Sequence, residues 1–144
     1  MVDHYQVWDE PNLRDAWGGL DPQPADYAAL LGPAYTTIHS ADIGATVIAA
    51  ALAPTTEAGP HNLNEWQFLE QLYQLGVADM FDAVGAKPYG FDTSPNDRNV
   101  RLDTLNVSRI VRLREIMVEY GDGHKAIWAS NWGWNRLTSD WTDD

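Results

Sequence analysis

Four short apolar segments punctuate the chain, at 4–9 (HYQVWD), 46–52 (TVIAAAL), 81–87 (FDAVGAK) and 125–130 (KAIWAS). The second and third are almost continuous hydrophobic runs, the pattern of strands buried on both faces. Their starts lie 42, 35 and 44 residues apart, which leaves room for a helix in each gap. In the first gap Tyr27, Leu30, Leu31, Ala34, Ile38 and Ala41 share one face at helical spacing, with Pro24 and Asp26 where a helix should begin. A second helix is predicted near 64–75, capped by Asn62 or Asn64 and stopped by Gly76. A third, from about 105 to 120, carries Val107, Ile110, Val111, Met117 and Val118 as its apolar stripe and stops at Gly121.

Strand–helix alternation of this kind predicts a parallel sheet with right-handed crossovers. Periodicity alone fits an open doubly wound sheet and a barrel equally. In both, the loops that follow the strands build the active face, and here those loops are 11–23, 53–62 and 88–103. No Gly-x-Gly-x-x-Gly or Gly-Lys-Ser/Thr loop follows any strand, which lowers a nucleotide-binding reading. There is no internal repeat, low-complexity tract or interdomain linker, so 1–144 is expected to be a single domain.

Composition narrows the function. The net charge of −12 disfavours nucleic acid and anionic membrane as partners and leaves neutral partners such as sugars open. No apolar run approaches the roughly 20 residues of a membrane-spanning helix. No secretory signal is visible at the start; secretion is expected only if a longer parent chain carries one. The absence of cysteine removes disulfides, thiolate metal sites and a Cys nucleophile. His4, His39, His61 and His124 have no ligand-like spacing, so no metal is expected, and the serines lack a nucleophile elbow. No cofactor is implied. Arg98, Arg101, Arg109, Arg112 and Arg114 are expected to form a solvated, salt-bridged face. Seven Trp and six Tyr supply flat rings that suit either a core or the apolar faces of sugars.

The candidate chemistry centres on Trp8-Asp9-Glu10-Pro11-Asn12 at the end of the first strand. Adjacent strand residues point to opposite faces, so only one of Asp9 and Glu10 faces the mouth unless the strand ends in a bulge. A carboxyl beside an aromatic wall in such a place tends to keep its proton, as a general acid needs. The competing view is a pair of solvated loop acids.

The segment YQVWDEPN resembles the fourth-strand Asn-Glu-Pro motif of the clan of (β/α)8 retaining glycoside hydrolases, most closely its xylosidase-like and cellulase-like members. FDAVGAKPYGF is similar to the clan's sixth-strand His-Pro-Tyr-Gly segment, and IWASNWGW to its seventh-strand Trp-x-Thr-Glu-x-Gly-Trp segment. The resemblance implies a partial (β/α)8 barrel of about four parallel βα units, strands four to seven. It implies Glu10 as acid/base, Tyr89 near the nucleophile, and Trp8, Asp9, Asn12, Lys87, Trp128, Trp132 and Trp134 around a carbohydrate ligand.

Three departures from the clan's pattern matter. Asp9 replaces an Asn that contacts a sugar hydroxyl; it can accept that bond but not donate an amide N–H. Lys87 replaces a His, and its cation either offsets the added negative charge or reaches solvent. Asn131 occupies the place of the nucleophilic Glu. A retaining mechanism needs a second carboxylate about 5 to 5.5 Å from the first. Glu57, Asp92 and Asp97 are the alternative carboxylates on the same face; one at about 6.5 to 9.5 Å could activate water for inversion.

Four strands are half of a (β/α)8 barrel and leave two open edges. The remainder of a barrel or a second copy is therefore the expected partner, with a fragment of a larger glycosidase-like protein favoured. The expected function is hydrolysis of O-glycosidic bonds in oligo- or polysaccharides. The alternatives are a catalytically inactive carbohydrate-binding protein and an isolated half-barrel with a structural role.

Overall fold

A computed structural model describes residues 2–134; the last ten residues of the expected domain lie outside the described residues. The chain runs β1 (His4–Asp9), α1 (Pro24–Ala41), β2 (Thr46–Leu52), α2 (Glu65–Gln74), a short 3-10 turn (Ala78–Met80), β3 (Ala83–Ala86), β4 (Tyr89–Phe91), α3 (Arg109–Glu119), β5 (Ala126–Ala129) and β6 (Gly133–Trp134). Strands β1, β2, β3 and β5 form one parallel sheet in that spatial order, so each crossover is made by one of the three helices. The four strands and three helices stand where the hydrophobic pattern puts them. The third and fourth strands are shorter than 81–87 and 125–130.

Register explains the layers. Val7, Ala49, Val84 and Ile127 are cross-strand neighbours, and all four belong to or pack against the core beneath the helices. That core is completed by Tyr27 and Leu31 of α1, Phe68, Leu69 and Leu72 of α2, and Leu113, Ile116 and Met117 of α3. The row one residue earlier, Gln6, Ile48, Ala83 and Ala126, takes the other, concave face. The sheet curls strongly: rings of His4 and Trp128, from its two outermost strands, meet with centroids 4.7 Å apart. The architecture is an arc of a (β/α) barrel. Among the described residues β1 and β5 each keep one edge unpaired.

Local signals account for the helix ends. Pro24 opens α1, Asn64 rather than Asn62 caps α2 by accepting the Trp66 amide at 3.0 Å, and Gly76 follows α2 with φ of 77°. The stripe expected on α3 is met in part: Met117 is buried and Ile110 packs against the core. Val111 and Val118 are exposed, and the buried face is Arg109, Leu113, Ile116 and Met117.

The reason is Arg109, which is not solvated. Its guanidinium bonds Glu65 at 2.5 Å and the carbonyls of Arg101, Leu102, Thr104 and Thr55, and it stacks over Trp66. A buried arginine is tolerable because each guanidinium nitrogen has an acceptor. Arg112 does meet the surface expectation, pairing with Glu115 and Glu119. The residues before Arg109 form a loop instead of the first turn of α3. There Asn106 bonds Asp97 and the Asn99 carbonyl, and Ser108 bonds the Asp97 carbonyl.

Tyr27 fastens α1 to the sheet. Its hydroxyl donates to the Val7 carbonyl at 2.9 Å and accepts the Ala50 amide at 2.6 Å, in a fully buried position. Replacing Tyr27 with Phe leaves a buried amide and a carbonyl without partners, so urea denaturation should show a loss of about 2 kcal/mol. An unchanged midpoint would mean that the bond carries no stability.

Candidate active site

The end of β1 departs from regular strand geometry. Trp8 has φ of 71° and Glu10 has φ of 51°, both in the left-handed region although neither is glycine. Such residues cost of the order of 1–3 kcal/mol each and persist only where the surroundings hold them. The left-handed residues on either side of Asp9 break the alternation of the strand. Asp9 and Glu10 then no longer face opposite ways, and both carboxylates reach Lys87. The Lys87 ammonium lies 2.8 Å from Asp9 Oδ2 and 2.9 Å from Glu10 Oε1. Each oxygen is within 2.9 Å of one nitrogen, so the two lie within twice that distance of each other.

Lys87 does not reach solvent. Its side chain is 6% exposed, against 27% for Glu10 and 55% for Asp9. Burial pushes the ammonium towards neutrality, but the hydrogen bonds and charges of Asp9 and Glu10 overcome this and hold it above the ordinary lysine value.

Further bonds pin the strand end. The Glu10 amide donates to the Ala51 carbonyl at 3.0 Å, and Gln6 donates to the Trp8 carbonyl at 2.9 Å and to Asp9 Oδ1 at 3.2 Å. The Trp8 indole N–H donates to the Ala16 carbonyl at 3.1 Å, and its ring meets Trp17 edge to face. Trp8 remains half exposed. Gln6 and Ala16 carry no motif; the one signal for Gln6 is its place two residues before Trp8 on the concave side of β1.

Asn12 is corrected from ligand contact to scaffold. It is fully buried, donating to the carbonyls of Ala53 and Leu63 and accepting the Ala53 amide, so every polar atom of its side chain is already used. It sews the loop after β1 to the loop after β2. The same two loops are joined by the Leu13–Asn62 bridge and by an Arg14–Asp21–His61 cluster.

Tyr89 and Trp134 sit on a second, two-stranded ladder, in which β4 pairs with β6 in parallel; no periodicity foretold so short a pair. The Trp134 indole covers Gly90 so closely that a Cβ there would collide with it. Tyr89, Phe91, Gly133 and Trp134 line an open hollow of about 350 Å³, and Trp132 lies 70% exposed on the rim of another. Trp128 is on β5 against His4. The aromatic residues therefore divide into two groups, one on the main sheet and one on this ladder.

Asn131 is exposed, its Oδ1 bonded to Ser130, and among the described residues nothing bonds it to Glu10 or Lys87. Glu57 accepts from Asn62, and Asp97 is held by Asn106 and the Asn99 amide, which keep its carboxyl below the usual range. Both serve their own loops. Asp92 stands exposed. Among the described residues no group of three or more His, Asp or Glu gathers as a metal site, and no helix is long and apolar enough to cross a membrane.

This parallel α/β arc is the fold of part of a (β/α)8 barrel. A solved structure of a family 51 alpha-L-arabinofuranosidase from Bifidobacterium longum matches 91% of this chain with a TM-score of 0.62 and 15% sequence identity. The chain spans 27% of the length of that enzyme's chain. At this identity the likeness establishes the fold. No family model and no curated protein matches the sequence.

Two outcomes follow. Asn12→Ala should destabilise the protein by about 2–3 kcal/mol in denaturant titration, since it strands the backbone groups of Ala53 and Leu63 in the loop after β2. A change below 0.5 kcal/mol would contradict its scaffold role. The second concerns alkaline pH. The fold raises the Lys87 value, so its stabilising contribution is complete below the unfolded lysine value of about 10.4 and lost as pH rises through the folded value. Lys87→Met should therefore lose less stability than the wild type between about pH 10 and 12. Parallel losses would show that the ammonium contributes nothing there.

Proposed function

We propose that this chain carries a glycoside hydrolase-like site acting on O-glycosidic bonds of oligo- or polysaccharides, with Glu10 as the general acid/base. The observation that carries this is the position of Glu10. It is a partly exposed carboxylate immediately after the carboxyl end of a parallel strand, two residues beyond the half-exposed Trp8. The fold shared with an arabinofuranosidase adds weight to a carbohydrate ligand, and so do the rings of Trp128, Tyr89, Trp132 and Trp134. The open edges of β1 and β5 support further βα units, from this or another polypeptide, completing the barrel and setting the substrate.

A second reading, glycan binding without hydrolysis, is favoured by two particular residues. Asn131 offers an amide where the resemblance places a nucleophile, and Lys87 already occupies one oxygen of Glu10. An amide lacks the full negative charge that an oxocarbenium-like transition state requires.

Aryl glycosides, including an α-L-arabinofuranoside, and soluble polysaccharides separate the two readings. For the enzyme, Glu10→Gln should lower kcat by about 10³-fold on a polysaccharide, the usual contribution of general acid–base catalysis. Binding of the same polysaccharide without turnover in the wild type, with turnover gained in Asn131→Glu, would replace hydrolysis with binding. No binding and no turnover would remove both.

A further inference from the structure

We propose that Lys87 is the positioning residue of this site, a strut across the barrel mouth that holds the end of β1 so that Asp9 and Glu10 face the ligand together. The strut stands on geometry; its consequence for a ligand rests on the glycan reading above.

Lys87 immediately follows β3, and β2 lies between β3 and β1, so its side chain spans one intervening strand to reach both carboxylates. Ordinary strand alternation would separate Asp9 from Glu10. The left-handed backbone at Trp8 and Glu10 brings them together, and two adjacent anions on a strained backbone repel unless a cation stands between them. Lys87 is the cation that does so. The other charged groups that line the small cavity beneath it, Arg109 and Glu65, are spent on each other and on backbone carbonyls. Nothing else among the described residues offers a positive charge to Asp9 or Glu10.

The strut also defines what the site can hold. Asp9 Oδ2 and Glu10 Oε1 are taken by Lys87, and Asp9 Oδ1 accepts from Gln6. Glu10 Oε2 is left as an acceptor, and the ring of Trp8, two residues earlier in the chain, is half exposed. Such a surface accepts hydrogen bonds from sugar hydroxyls and stacks an apolar sugar face. With two carboxylates and one ammonium it repels uronates, so the ligand class is a neutral glycan.

The test uses isotope-labelled full-length protein, with Lys87→Met, Lys87→Arg and Asp9→Ala variants. Backbone couplings and Cα shifts report φ at Trp8 and Glu10, and titration with cellohexaose, xylohexaose and oligogalacturonate reports affinity. The strut predicts left-handed signatures at both residues in the wild type and in Lys87→Arg, and their loss in Lys87→Met. It also predicts at least about tenfold weaker binding of the neutral hexaoses by Lys87→Met, the size of one charge-assisted hydrogen bond. Asp9→Ala cuts the strut from its exposed end and should also release the kink, which decides the matter if Lys87→Met does not fold. Left-handed signatures that survive in both Lys87→Met and Asp9→Ala would overturn the proposal. So would oligogalacturonate binding more tightly than the hexaoses. If no glycan binds the wild type while the kink depends on Lys87, the strut stands and the glycan reading falls.

Discussion

A lysine ammonium that is almost wholly removed from water needs anionic company, because the desolvation of an isolated charge exceeds anything packing can return. Lys87 finds that company in Asp9 and Glu10, two strands away, and the unusual features of the site gather around this contact. The left-handed Trp8 and Glu10, the Gln6 bonds and the Trp8 indole bond all belong to a strand end bent towards one cation. A resemblance that supplies a Glu at this position does not supply this arrangement. It comes from the pairing of an extra carboxylate at Asp9 with a lysine at 87.

The scaffold beneath is built to keep that strand end in place. Tyr27 pins β1 to β2 through its hydroxyl, Asn12 joins the loops after both strands, and Glu65 with Arg109 ties α2 to α3 and to the loop before α3. Each is a buried polar group with its partners supplied, the condition under which polarity can sit in a core. Gly85 contributes by having no side chain: a Cβ there would lie 2.6 Å from the Ala51 nitrogen, where β2 shifts register just before the site. The carboxylates thus stand at the end of a strand paired with β2 up to the site itself.

Most of the fold was legible because its signals are periodic. The strands 4–9 and 46–52 stand at the predicted bounds, and the helix-end residues Pro24, Asn64 and Gly76 act through local chemistry. The buried face of α3 was legible only at Ile110 and Met117, since hydrophobicity assigns a buried arginine to the surface and only the three-dimensional neighbours of Arg109 reverse that. The β4–β6 ladder is too short to have a period. At the site, the place of Glu10 just after β1 was legible from the apolar run that precedes it. The kink was not, because nothing in Trp or Glu announces a positive φ. The choice for Lys87 between solvent and carboxylates depended on a neighbour 78 residues away in the chain, and Asn12 read as a ligand contact because burial is invisible in a motif.

We propose recognition of a neutral glycan at the mouth of the arc, by Glu10 and Trp8. Mapping amide shifts during titration with a neutral oligosaccharide tests it most directly. The account predicts saturable changes concentrated at Trp8, Asp9, Glu10 and Lys87, with the loop at 53–62 following. Changes confined to the helices, or no change at millimolar sugar, would contradict it.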